Sequence, residues 1–321
     1  MKKFFLLQFV FAFVIQACDL TVSIAPSTVV APPPADTVMP AGETPTQVPF
    51  TATFVPAIAL PTNVPATATL IPTMAVSTVQ PPSNTGTTVT YSPLTLVIPP
   101  SVASGASGKE YPRVDAEDAA YWQKTPGHLQ VSLNDYYILQ GKFPQPQIYV
   151  YHAMAYVDLV PAAFESMHRL RNVMNVSSTS ITVDQLPGVP FFNAAQVFAS
   201  NIQPITFQNG SGIRFLTEYA QYAAPINNYE LFYQFQGFSD DGEYYIIAIL
   251  PVTVPVLAES SDPGAILPPG GIPYPDITNA DAGVQDYYIS ITNLLNATSP
   301  DAFTPTLSQL DALIQSMLIA P

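Results

Sequence analysis

The chain has 321 residues, 35 of them proline, only 10% charged, with a formal net charge of −14 and one cysteine. A body this acidic, whose largest basic cluster is the pair Arg169 and Arg171, cannot displace counterions from a phosphate backbone, so no nucleic acid is expected as a partner. One cysteine forbids an internal disulfide or a paired-cysteine zinc site, and so much proline marks part of the length as tether rather than globular sequence.

The chain opens on Met1-Lys2-Lys3, and residues 4–15 are apolar except for Gln8. That is the basic n-region and short h-region of an export signal, and it falls short of the roughly 20 apolar residues that a membrane span needs. Ile15-Gln16-Ala17-Cys18 follows. It resembles the lipobox of bacterial lipoproteins, where an aliphatic residue at −3 and a small one at −1 precede a cysteine that is diacylated on sulfur and becomes the new N-terminus. Gln16 departs from the small or aliphatic residue usual at −2. The resemblance covers residues 1–18. It implies a signal peptide over 1–17, a lipid anchor on Cys18, the membrane as partner through its acyl chains, and residence on the extracytoplasmic face of the cell membrane. Several chains hold firmly because each buried methylene adds about 0.8 kcal/mol. Removal of Lys2 and Lys3 leaves 7 basic against 23 acidic residues, a charge of −16.

Residues 18–108 read as a disordered Thr/Pro-rich tether. Phrases such as "PSTVVAPPPADTVMP" and "LPTNVPATATLIPT" recur, and no Lys or Arg occurs between Asp19 and Gly108. Proline every few residues removes backbone donors and biases its neighbours towards extended conformations, so neither helix nor sheet is expected to run through it. About 60 residues of polyproline II at ~3.1 Å each would reach ~190 Å before bending. The layout is similar to that of envelope lipoproteins with Thr/Pro-rich tethers and uncharacterised C-terminal domains.

From Lys109 to the end, a single α+β domain is expected: a mainly antiparallel sheet covered by helices. Trp122, the sole tryptophan, sits in a short helix or turn. Strand-like runs follow at 128–139 and 147–160. Pro161 then suits a first helical turn, and Ala163, Met167, Leu170 and Met174 share a helical face. A shorter helix is expected over 192–199. Strands are expected at 212–222, 228–238 and 242–250, the last two joined as a hairpin through Ser239-Asp240-Asp241. Tyr244 to Leu250 is apolar on both faces, which predicts a central strand. A proline- and glycine-rich loop spans 251–280. Two helices close the chain: one shows Val284, Tyr288, Ile291 and Leu295, and the other is capped by Thr304, with Pro305 first and Leu307, Leu310, Ile314 and Met317 inward. The order is similar to the sheet-and-helix sandwich of some envelope lipoproteins of the photosystem extrinsic-protein type, a resemblance that no motif carries.

Catalytic signatures are sparse. His128, His152 and His168 are too scattered for a zinc-binding HExxH pair, "NGSGI" at 209–213 lacks G-x-S-x-G spacing, and there is neither a phosphate loop nor a dinucleotide fingerprint. No metal and no cofactor are therefore expected. Asp240, Asp241 and Glu243 read as turn chemistry and Asp115, Glu117 and Asp118 as a solvated helix start. The remaining candidates are polar residues in strands. Arg214 and Glu218 fall on one side with Leu216 between them, and Glu230, Gln234 and Gln236 share a face of the neighbouring strand. They read as either a polar stripe lining a ligand groove beneath the 251–280 loop, or a wet sheet face with a surface ion pair. Aromatic residues are abundant enough for core packing or for sugar stacking. The preferred expectation is a lipid-anchored protein whose domain binds or scaffolds an envelope glycan or protein without catalysis. The alternative is a cell-envelope hydrolase of glycans or peptides using carboxylates such as Glu218, Glu230 or Asp241.

Overall fold

The structure, a computed structural model, describes residues 85–137, 141–262, 264–276, 278 and 283–320. The signal segment, Cys18 and the tether up to residue 84 lie outside them. The elements, in chain order, are β1 (Thr87–Tyr91), β2 (Leu94–Ile98), β3 (Gly105–Tyr111), β4 (His128–Asn134), β5 (Gln147–His152), α1 (Ala153–Leu159), α2 (Pro161–Val173), β6 (Ala195–Gln196), β7 (Ser200–Phe207), β8 (Gly210–Thr217), β9 (Tyr219–Ala220), β10 (Phe232–Ser239), β11 (Tyr244–Pro251), α3 (Val284–Ala297), α4 (Leu307–Gln315) and β12 (Leu318–Ile319).

Seven strands form one antiparallel sheet in the order β3-β4-β5-β11-β10-β8-β7. The fold is thus α+β with a mainly antiparallel sheet. Strand β11 is its fourth member and is buried at every position, as a run apolar on both faces requires. Its hairpin to β10 turns through Asp240-Asp241-Gly242, with Gly242 at φ +72°, a conformation that costs glycine little.

Both faces of the sheet are covered. On one, Tyr151, Ile213, Phe215, Phe232, Tyr245 and Ile247 meet Tyr156 of α1 and Ala163, Met167 and Leu170 of α2. On the other, Leu216, Tyr233, Phe235, Ile246 and Leu250 share a core with Ile291 and Leu295 of α3, with Leu307, Leu310 and Ile314 of α4, and with a small sheet ordered β1-β2-β12. Each fully buried Leu, Ile or Phe contributes roughly 1.5–3 kcal/mol, so neither layer can be dispensed with.

Several local expectations need correction. The folded domain does not begin at Lys109: Leu94, Leu96 and Ile98 of β2 are fully buried, and β3 starts at Gly105. The alternation in "LTLVI" is a buried-strand pattern that the surrounding proline obscured. The run at 147–160 stops being strand at Ala153, where β5 ends and helix-forming Ala-Met-Ala packs Tyr156 against Tyr151 at a ring distance of 4.4 Å. The helix expected over 192–199 is replaced by β6, which pairs with β9. The final helix is capped by Thr306 in a reciprocal box with Gln309, since Thr304 exchanges both backbone hydrogen bonds with Thr253.

Candidate functional site

Arg214 lies on β8 on the α3/α4 side of the sheet, and its side chain is 5% exposed. Its guanidinium donates to both carboxylate oxygens of Asp311 on α4, at 3.1 and 3.2 Å. It also donates to Gln203 Oε1 at 2.7 Å and to the carbonyl of Asn201, both on β7. Tyr233 adds a hydroxyl bond to the same Asp311 at 2.9 Å. Neither the ligand groove nor the wet surface expected from the sequence accommodates this residue. Arg214 is a buried clamp between two strands and a helix.

Gln234 is on the opposite face. The register pairs Arg214 with Phe235 across β8 and β10, which sends Gln234 and Gln236 towards α2. Their amides donate to the carbonyl of Pro187 at 3.0 and 3.2 Å, and Ser166 of α2 donates to Gln236 Oε1 at 3.0 Å. The four candidates therefore form no common stripe, and the sheet itself separates them.

Glu218 and Glu230 do come together. Both follow or precede strand ends, in the connection between β8 and β10, and Asn227 ties them. Its backbone N–H donates to Glu218 Oε2 at 3.2 Å, its Nδ2 donates to Glu230 Oε2 at 2.8 Å, and its Oδ1 accepts the amides of Tyr229 and Glu230. Glu218 is fully buried and Glu230 partly exposed. Burial first, then the charge of Glu230 and a hydrogen bond to it, push the Glu218 carboxyl well above the usual carboxylate range, against the opposing pull of the Asn227 amide. Glu218 Oε1 is buried without a hydrogen-bond partner, which adds to the cost of charging this carboxyl. Its surroundings thus favour the neutral form of Glu218.

This has a consequence for stability. A carboxyl raised in the folded state contributes its stabilisation fully below its unfolded pKa, about 4.3, and loses it as pH rises towards the folded value. Urea unfolding between pH 4.5 and 8.5 should show wild type losing up to about 1.4 kcal/mol per pH unit relative to Glu218→Gln, whose amide cannot ionise. Parallel curves for the two proteins over that range would remove the proton from Glu218.

Glu230 forms one wall of a cleft of 420 Å³. Around it stand Trp122, Phe143, Phe191, Phe192, Tyr219 and Tyr222, drawn from four separate connections of the fold. Phe192 meets Phe191 and Tyr219 edge-on at 5.3 and 4.9 Å. Phe143 and Tyr222 are 65% and 68% exposed, so their rings are open to a ligand. Comparison with protein-family models, curated proteins and solved structures returned no match.

A second cavity of 660 Å³ adjoins the first at Tyr222. It lies where the segment after β11 folds over Pro225 and Ile226, with Leu257, Ile272 and Tyr274 as further walls. Asn228 fastens that segment: Nδ2 donates to the carbonyls of Val254 and Leu257 at 3.1 Å, and Oδ1 accepts the Val254 amide at 2.8 Å. Tyr287 and Tyr288 of α3 hold the other side through the backbone of Ile226 and Ala224. The described part of the 251–280 loop thus covers the β8–β10 connection rather than a strand face. Among the described residues no group of three or more His, Cys, Asp or Glu could hold a metal, and no helix is long and apolar enough to cross a membrane. The sequence reading missed Asn227, Asn228 and the aromatic walls, although the Asn-Asn pair after proline in "PINNYE" is a recognisable turn signal.

Proposed function

We propose that this chain is a lipid-anchored envelope protein in which Cys18 holds the membrane, the Thr/Pro-rich segment acts as a spacer, and the α+β domain captures a ligand outside the cell membrane without turning it over. The anchor is supported by the lipobox-like Ile15-Gln16-Ala17-Cys18 behind its basic and apolar leader. The binding role rests on one observation: a cleft walled by aromatic residues around a single, partly exposed carboxylate. Hydrolysis is less well supported. Paired glycosidase carboxylates stand about 5–9.5 Å apart across an open cleft, whereas Glu218 is sealed from solvent and its Oε2 is engaged by Asn227. Asp241 is engaged in its own hairpin, accepting from Ser239 Oγ at 2.5 Å and from the Glu243 amide at 2.9 Å.

Metabolic labelling with a palmitate analogue tests the anchor. Wild type is expected to take up label and sediment with membranes, and Cys18→Ala to lose both, as an unprocessed or released protein. Equal labelling of the two proteins, or none in wild type, would refute the lipoprotein reading.

A further inference from the structure

We propose that the aromatic cleft binds an organic ammonium group, with Glu230 as its counter-ion and the rings of Trp122, Phe143 and Tyr222 among the surfaces that enclose it. This rests on reading the cleft as a binding site. Glu230 is the only charged residue lining it, and among the described residues it forms no ion pair. A carboxylate left without a cation beside six aromatic residues is the environment that attracts an ammonium ion, through its charge and through the negative faces of the rings. Lys142, next to Phe143, does not line the cleft: it donates to the carbonyl of Asn228, and burial lowers it to about 8 against the opposing charge of Glu259.

Neutral ligands are the competing class. A sugar needs hydrogen-bonding groups around its hydroxyls, and besides Glu230 the lining side chains that could supply them are the amides of Asn193 and Gln221, the indole N–H of Trp122 and the hydroxyls of Tyr219 and Tyr222, so a neutral twin of each probe is the necessary control. Gln221 already directs its Nε2 to the Asn193 carbonyl at 2.7 Å. Behind the wall, burial disfavours a second negative charge on Glu218, and Asn227 holds Glu230 through its Nδ2 at 2.8 Å. At 420 Å³ the space is in the range of small-molecule sites, about 300–1,000 Å³. The ammonium group has two possible sources, a free solute or an amine carried on an envelope polymer.

Trp122 is the only tryptophan, so intrinsic fluorescence of the full chain in detergent reports directly on the cleft. Two matched pairs of probes separate charge from shape: choline against its neutral isostere 3,3-dimethylbutan-1-ol, and a glucosamine trimer against the N-acetylated trimer. The charged member of at least one pair should change Trp122 emission saturably and bind about tenfold or more tightly than its neutral twin. Glu230→Gln should abolish that preference, and Tyr222→Ala, a change at an exposed ring, should weaken binding several-fold. Preference for choline points to a free solute, preference for the glucosamine trimer to a polymer. Equal binding within both pairs, or an ammonium preference that survives Glu230→Gln, overturns the proposal while leaving the cleft a binding site. No change with any of the four probes overturns the proposal and leaves the binding reading to other ligands, whereas the fate of Cys18 is measured separately by acyl labelling.

Discussion

A chain beginning at Lys109 should fail to fold, while one beginning at residue 85 should melt cooperatively. The shorter chain lacks β1, β2 and the first part of β3. It loses Leu94, Leu96 and Ile98, all fully buried against α4 and the central sheet. At roughly 1.5–3 kcal/mol each, these three side chains alone account for about 5–9 kcal/mol, comparable with the whole stability of a typical domain, about 5–15 kcal/mol. The damage extends to the C-terminus, because β12 pairs only with β2 and Ser316 Oγ bonds both the amide and the carbonyl of Val97. Near-UV circular dichroism and a thermal melt decide the matter. If the 109–321 fragment melted cooperatively within a few degrees of the 85–321 fragment, the small sheet would be an accessory rather than part of the core.

Arg214→Ala should be the most damaging single substitution among the polar residues. It leaves Asp311 with side-chain exposure of only 17% and no cation, and strips Asn201 and Gln203 of a donor. Removing one partner of a buried pair costs about 3–5 kcal/mol, which for a domain of this size lowers Tm by about 6–20 °C. The pair itself is not expected to be a large net stabiliser, because desolvating both charges offsets most of their attraction. The double variant Arg214→Met with Asp311→Leu should therefore recover much of the loss. A urea midpoint for Arg214→Ala close to wild type would mean that water reaches Asp311, and the clamp would have no energetic standing. Activity assays of Arg214 variants are correspondingly uninformative about ligand binding unless folding is measured alongside.

The reassignment of Arg214 and Gln234 has one physical cause. Within a strand, parity is readable: Arg214 and Leu216 share one side of β8, and Tyr244 to Leu250 forms the buried central strand. Between strands it is not, because the register of β8 on β10 can slip by one residue without changing either sequence pattern, and each slip exchanges the faces. Phe235 rather than Gln234 faces Arg214, and the expected stripe divides into two unrelated polar clusters, each sealed by a layer of helix.

Local chemistry fares well wherever neighbours along the chain carry the signal. The hairpin at Asp240-Asp241-Gly242, the helix from Pro161 and the inward faces of α3 and α4 follow from turn geometry and periodicity, interactions that span four residues or fewer. Contacts between residues far apart in sequence are another matter. Two glutamates twelve residues apart are bound to one residue because Asn227 folds the connection back on itself, and Trp122 and Tyr222 line one cleft because separate connections of the fold converge there. Loop closure of that kind is set by the packing of the whole domain, and no short stretch of residues encodes it.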